Sequence, residues 1–410
     1  MERFFFFARG SMISQELPWI NNVFEKLDAL PKDCECCVSK IKEVFLKNLD
    51  SLKELPSYGV YFPLKEAILV TLSNSQVEVF HPNTMQCIGK GSAGSVFRLL
   101  QSDSQAEQMA LKIPIASDAK YVRQIQTEIR TLEKVHAKRP IEGIQKSSSC
   151  LIYQYDPVND CLDLKNPYGF LSSLYSEGTL ADFLPKYCVA NRTLSSDKAV
   201  AIMNRLIQSN AELRRDQYYS TDIKPENILV HLQKKDEEGD FTIKADMADL
   251  WIEDVSEEGM KARIQNPRLL ATVTLNSISY LDYHKLFETQ VLCAKNASTD
   301  PEKYKLAVEE RQKTLEKVLV RELGLIAYYC FYGIRWSPIG MRQDPEKKGY
   351  FLFDKICVRS NINIDERIRS TIEQMIRQAI SFDEVENRWS GFSAFLDDPN
   401  NGNNHSYKNG

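Results

Sequence analysis

The sequence predicts an α+β fold in two parts, a smaller strand-rich part followed by a larger helical one, with a helical extension ahead of both. Three observations carry this. A glycine-rich stretch opening at Gly89 is flanked by short strand-like runs, and "QMALKIPI" alternates as a strand does. From about Ser195 onward, long stretches repeat apolar residues at helical spacing, as in "SSDKAVAIMNRLIQSNAELRRD". Residues 14–55 show the same spacing on either side of Pro31, which predicts two amphipathic helices.

Composition narrows the function classes. The chain has 410 residues, 43% hydrophobic and 26% charged, and a net charge of −4 from 52 basic and 56 acidic residues. Such a balance gives no bulk electrostatic attraction to nucleic acid or to a membrane surface. No apolar run approaches the roughly 18–20 residues that span a bilayer. The apolar patch at residues 4–8 is too short for a secretory core and is followed by no small-residue cleavage site. Ten cysteines are scattered except in "CECC" (Cys34, Cys36, Cys37), and no second ligand cluster follows at metal-binding spacing. Free thiols in a reducing compartment account for them, and a cytoplasmic location is expected, with delivery into a host cell left open.

Along the chain, residues 61–78 have a mixed, apolar texture. "IGKGSAGSVF" then places Gly89, Gly91 and Gly94 in a G-x-G-x-x-G pattern. Glycines let such a loop bring backbone N–H groups against phosphate oxygens. The same pattern serves dinucleotide-binding folds, but there it ends a strand and opens a helix. Here "SVFRLL" reads as a second strand, which favours a phosphate-covering hairpin. Lys112 sits at the centre of the next strand, and Glu128 lies on the amphipathic helix "VRQIQTEIRTLEKVH", able to turn inward toward it. Alone, either residue would pass for a surface charge.

"YYSTDIKPENILV" concentrates the chemistry. Asp222 can accept or orient a hydroxyl proton, Lys224 two residues on can neutralise a transferring phosphoryl group, and Asn227 can ligate a metal ion. Some twenty residues later "IKADMADLWIED" offers Asp246 and Asp249 as a second metal carboxylate, and the strand period of two favours Asp249. "KKDEEGD" reads as a solvated hairpin insertion, and "DPEKYKLAVEERQKTLEKVLVRELGLIAYYCFYG" as a helix with a solvated charged first half and a buried second half. The Asn/Gly-rich tail "DDPNNGNNHSYKNG" is expected to be disordered.

In this order, the Gly-loop, Ala110-x-Lys112, Glu128, Asp222-x-Lys224-Pro-Glu-Asn227 and Asp249-Leu250 resemble the eukaryotic-type protein kinase family, in its Ser/Thr branch. Lys224 two after the aspartate is typical of that branch. "LYSEGTLADFL" is similar to the family's hinge and following helix, and Arg388 to its late structural arginine. The resemblance covers about 85–398. It implies a bilobal protein-kinase-like fold, with an N-terminal helical extension over 1–80, a small β-rich lobe over 81–176, a large helical lobe over 177–398 and a tail over 399–410. It implies ATP and Mg2+, and a protein substrate carrying a Ser or Thr hydroxyl. Ile88, Gly89, Gly91, Gly94, Val96, Ala110, Lys112 and Glu128 would serve the nucleotide, Asn227 and Asp249 the metal, and Asp222 and Lys224 the transfer. No nucleic-acid partner is expected. The N-terminal helices either dock a partner or pack within the protein.

The chain also departs from the family. Ser220-Thr221 stands where His-Arg is usual, which removes the arginine that commonly binds a phosphorylated activation loop. The glycine of the metal-binding triplet is replaced, by Trp251 if Asp249 is the ligand or by Ala248 if Asp246 is, no clear Ala-Pro-Glu follows near Tyr280, and the aspartate that starts the large buried helix falls near Leu319, where none stands. These departures support an alternative: a pseudokinase acting as a nucleotide-binding or scaffolding module.

Overall fold

The computed structural model describes residues 18–397 apart from 75, 92–93, 102–107, 117, 149, 188–193, 235–240, 266–279, 334–338, 344–350 and 357–363. The apolar patch at residues 4–8 and the tail over 399–410 lie outside the described residues. The chain divides into two compact units: one holds the N-terminal part up to Lys134 together with Lys146–Leu174, the other Val135–Gln145 and everything from Tyr175 onward. The first is built around a curled sheet and the second is mainly helical, in keeping with a bilobal kinase-like fold.

Among the described residues the first unit begins with α1 (Pro18–Asp28), α2 (Glu35–Lys47) and the short α3 (Leu49–Leu52). Nine strands follow: β1 (Ser57–Pro63), β2 (Ala67–Ser73), β3 (Gln76–Phe80), β4 (Met85–Lys90), β5 (Gly94–Leu99), β6 (Met109–Pro114), then α4 (Ala119–Lys138), β7 (Cys150–Asp156), β8 (Cys161–Leu162) and β9 (Gly169–Ser173). They form one sheet in the order β3-β2-β1-β7-β9-β6-β5-β4, with β8 paired to β7. The first and last strands of that order are joined by a tight turn in which Thr84 N–H donates to the His81 carbonyl at 2.8 Å. A turn that short brings the two ends of the sheet together, so the sheet must curl.

The stretch Ser57–Phe80 corrects the expectation of a wholly helical extension over 1–80. "SYGVYFP" and "AILVTLS" are rich in β-branched and aromatic residues, which pack well on a pleated surface. β1 pairs in parallel with β7, joining the extension to the main sheet. The apolar stripe of the helices (Ile20, Val23, Leu27, Ile41, Val44, Phe45) is buried against Val60, Phe62, Val70 and Tyr155. The helices thus pack within their own unit, as an amphipathic helix commonly does.

The second unit contains α5 (Leu180–Tyr187), α6 (Ser196–Arg215), β10 (Tyr218–Ser220), β11 (Ile228–Lys234), β12 (Phe241–Met247), β13 (Ile252–Asp254), α7 (Glu257–Gln265), α8 (Tyr280–Asn296) and α9 (Pro301–Tyr332). A hairpin of β14 (Ile339–Gln343) and β15 (Phe351–Ile356), then α10 (Glu366–Ile376) and α11 (Phe382–Asp397), complete it. β10 pairs with β13 and β11 with β12, both antiparallel. The "KKDEEGD" run joins β11 to β12, as expected of a hairpin insertion, though residues 235–240 lie outside the described residues. α9 starts at an Asp300 cap whose side chain accepts from Lys303 N–H, with Pro301 in the first turn, and stops at Gly333 with φ 84°. Its second half buries Val318, Leu319, Leu323, Ile326 and Phe331. The first half is not simply a solvated face, because Arg311 is fully buried there. Among the described residues no helix is long and apolar enough to cross a membrane.

Candidate active site

In the first unit the candidate nucleotide residues gather on the β4–β5–β6 part of the sheet. Gly89 and Gly91 lie on either side of the β4 end, and Gly91 N–H donates to the Gly94 carbonyl at 2.8 Å. A Cβ on Gly94 would stand 2.7 Å from the Ile113 carbonyl oxygen, so only glycine fits. The ladder between β4 and β5 shifts between Cys87 and Gly89, leaving Ile88 at an irregularity with its side chain 48% exposed. Val96 is registered opposite Lys112, and Ala110 lies two residues before Lys112 on the same face of β6. Lys112 Nζ donates to Glu128 Oε2 at 2.6 Å, and both side chains are largely buried. Glu128 reaches it because Ile125, Ile129 and Leu132 turn the same helix toward the sheet. The pair inferred from sequence is therefore formed.

In the second unit the loop after β10 is held from three sides. Asp222 is nearly enclosed, with 2% side-chain exposure, and its Oδ2 accepts from Lys224 Nζ at 2.7 Å and Asn227 Nδ2 at 2.9 Å. Asn227 Nδ2 also donates to the Asp222 carbonyl at 3.0 Å, which pins the turn over Pro225–Asn227. From below, Glu322 Oε2 on α9 accepts from Ile223 N–H at 3.2 Å. Glu322 is fully buried. This corrects the expectation of a missing brace near Leu319: a carboxylate is supplied three residues later, from a longer side chain.

The third support is the segment after β12. Thr221 N–H donates to the Trp251 carbonyl at 2.9 Å, and its hydroxyl donates to the same oxygen at 3.3 Å. Ser220 is registered against Ile252. The Ser-Thr dipeptide is thus committed to internal packing and strand pairing. Glu253, next on β13, is ion-paired with Arg311 of α9, and both are buried. Arg311 Nη1 also donates to the Leu286 carbonyl at 2.5 Å. Nothing in the sequence signalled Arg311, since it stands among many charges in a helix half that reads as solvated.

The two candidate metal aspartates are placed differently. Asp246 accepts from Tyr175 Oη at 2.7 Å and from Arg205 Nε at 2.7 Å, so its carboxylate is engaged in a structural pair. Asp249 has φ 49°, an uncommon left-handed conformation for a non-glycine residue. With Asp222, Asn227 and Ser220 it lines a crevice that has no water-sized space in it. The Asp249 carboxylate and the Asn227 amide oxygen are the kind of oxygen donors that Mg2+ takes. Among the described residues no set of three or more His, Cys, Asp or Glu side chains forms a ready cage.

Arg388, on α11, donates to Gln374 Oε1 at 3.1 Å. The expected place of the Ala-Pro-Glu, in "SISYLDYHKLF", falls partly outside the described residues. The hinge-like "EGTLADFL" opens α5 through a reciprocal cap: Thr179 Oγ1 donates to Asp182 Oδ2 at 2.7 Å and accepts from Asp182 N–H at 3.2 Å.

No model of a known protein family matches the chain. Over 201 residues it is 25% identical to the dual specificity protein kinase KNS1 of Saccharomyces cerevisiae. The match covers 48% of this chain and 25% of the length of the yeast protein. That similarity, together with the curled sheet carrying Lys112–Glu128 and the loop carrying Asp222, supports a relationship to the protein kinases.

Proposed function

We propose that the chain is an ATP- and Mg2+-dependent protein kinase that phosphorylates Ser and Thr hydroxyls of a protein substrate. The carrying observation is the loop in which Asp222, Lys224 and Asn227 are mutually hydrogen-bonded and braced by Glu322. Phosphoryl transfer depends mainly on positioning and electrostatic stabilisation, so a pre-arranged polar set is what the reaction asks of the protein. Lys112, oriented by Glu128, grips the nucleotide's phosphates beneath the glycine hairpin. Asp222 orients the acceptor hydroxyl and takes its proton, while Lys224 offsets charge on the transferred group. Asn227 and Asp249 hold Mg2+, which when bound neutralises charge on the phosphate oxygens. Specificity for Ser and Thr rests on Lys224 two residues after Asp222, whereas the yeast relative is a dual specificity kinase.

The test is label transfer from γ-labelled ATP with Mg2+, alone and with generic protein acceptors, beside Asp222→Ala and Lys112→Ala. Transfer by the parent and by neither variant supports the kinase, and phosphoamino-acid analysis decides the acceptor. Label on tyrosine would replace Ser/Thr specificity by dual specificity. Thermal stabilisation by Mg-ATP with no transfer would point instead to the nucleotide-binding pseudokinase. Asp249→Asn is expected to raise the Mg2+ concentration needed for half-maximal rate, and Asp246→Asn to leave it unchanged.

A further inference from the structure

The curled sheet of the first unit forms a half-open cavity of about 200 Å3 away from Lys112. Tyr61 and Ala67, from β1 and β2, form one wall. Met85 and Phe97, from β4 and β5, face them, with Leu111 and Ile113 of β6 between. β1 and β2 stand apart from β4–β6 in the order of the sheet, so the cavity exists because the sheet curls. Leu111 belongs to a fully buried cluster with Leu69, Leu99 and Leu171, against which Tyr61, Met85, Phe97 and Ile113 pack. The rim is formed by Tyr61, Met85, Phe97 and Ile113, which remain half-buried.

Mouths of curled sheets and barrels are recurrent ligand sites, and this lining states what it would take. No charged side chain contributes to it, which disfavours an ion that would lose its hydration there. The one side-chain hydroxyl among the lining residues belongs to Tyr61, and burial raises its pKa, so it stays a neutral phenol. The volume is close to that of apolar cavities of about 150 Å3 that accept benzene. Interiors are otherwise close-packed, with few voids larger than a water molecule. Filling the cavity would remove the half-exposed rim from water.

We propose that this cavity is a binding site for a small, uncharged aromatic molecule of one or two fused rings bearing at most one polar group. Leu111 and Ile113 flank Lys112 on β6 and point to the opposite face, so the occupant would rest on the strand that carries Lys112 without touching its side chain.

Indole is the probe. The full chain, with isotope-labelled Ile and Met methyl groups, is titrated with indole and followed by NMR and by thermal unfolding. Saturable shifts, nuclear Overhauser contacts from indole to the Met85 and Ile113 methyls, and an unfolding midpoint that rises with indole concentration are expected. Ala67→Leu fills the cavity and is expected to weaken indole binding about tenfold or more. Indole-3-acetate, which adds a carboxylate, is expected to bind about tenfold or more weaker than indole. Absence of methyl contacts at millimolar indole overturns the proposal, as does Ala67→Leu binding indole like the parent. Equal binding of indole-3-acetate overturns its chemical class. Should Ala67→Leu fail to fold, the methyl contacts in the parent chain decide.

Discussion

Glu322 is the residue whose role is largest relative to its visibility. A fully buried carboxylate is costly unless its oxygens are hydrogen-bonded, and here one oxygen holds the backbone next to Asp222. Glu322→Ala would leave Ile223 N–H without that acceptor and free the loop to shift. Because a misplacement of about 1 Å can cost about 100-fold in rate, kcat is expected to fall by about 10- to 100-fold, with KM for ATP nearly unchanged. Steady-state kinetics at saturating Mg2+ checks this. A kcat within about twofold of the parent would show that the loop holds its shape without the brace.

At the scale of elements, two ion-pair systems do different work. Glu253 and Arg311 join β13 to α9 inside the core. Removing one member of such a pair strands the other charge, so Arg311→Met is expected to destabilise the protein by about 3–5 kcal/mol. Adding Glu253→Gln should recover part of that loss, because the stranded charge is gone; denaturant unfolding of both variants measures it. The second system is near the surface. Asp160 accepts from Lys40 at 2.8 Å and Lys47 at 3.1 Å, tying α2 to the β7–β8 turn, and Tyr155 Oη donates to it at 2.7 Å. These donors, Lys40 first, hold the Asp160 carboxyl well below the usual carboxylate range. A depressed carboxylate contributes stability that is present above its unfolded value, about 3.9, and is lost as pH falls through the folded one. Unfolding midpoints of the parent should therefore drop more steeply below about pH 4 than those of Asp160→Asn. Parallel curves in acid would remove Asp160 from the account.

For the molecule as a whole, the question is what sets its activity. Thr221 occupies the arginine position and spends its backbone N–H and hydroxyl on the Trp251 carbonyl. The strand that follows is fixed by the buried Glu253–Arg311 pair. Activity is accordingly expected to be independent of loop phosphorylation. Phosphatase-treated and untreated protein should transfer label at rates within about twofold, and a much larger loss after treatment would locate a phosphate-binding switch elsewhere in the chain.

Short-range pattern was enough for the parts whose chemistry lies within a few residues of chain. The glycine hairpin, the Lys112 strand and the Asp222–Asn227 loop were legible because their order along the chain resembles the protein kinase family, whereas each piece alone has an ordinary reading. The strands at Ser57–Phe80 were less so, since a short apolar run reads equally as strand or as buried helix until something pairs with it, and here the partner is β7 nearly a hundred residues away. Tertiary structure alone decided the long-range carboxylates and cations. It put Asp246 on Arg205 and left Asp249 beside Asp222, chose Glu322 rather than an aspartate as the brace, and buried Arg311 in a helix half that looks solvated. A charged side chain has no periodicity that marks it as internal. Its burial depends on whether a partner from a distant segment satisfies it, and that is a property of the packed fold.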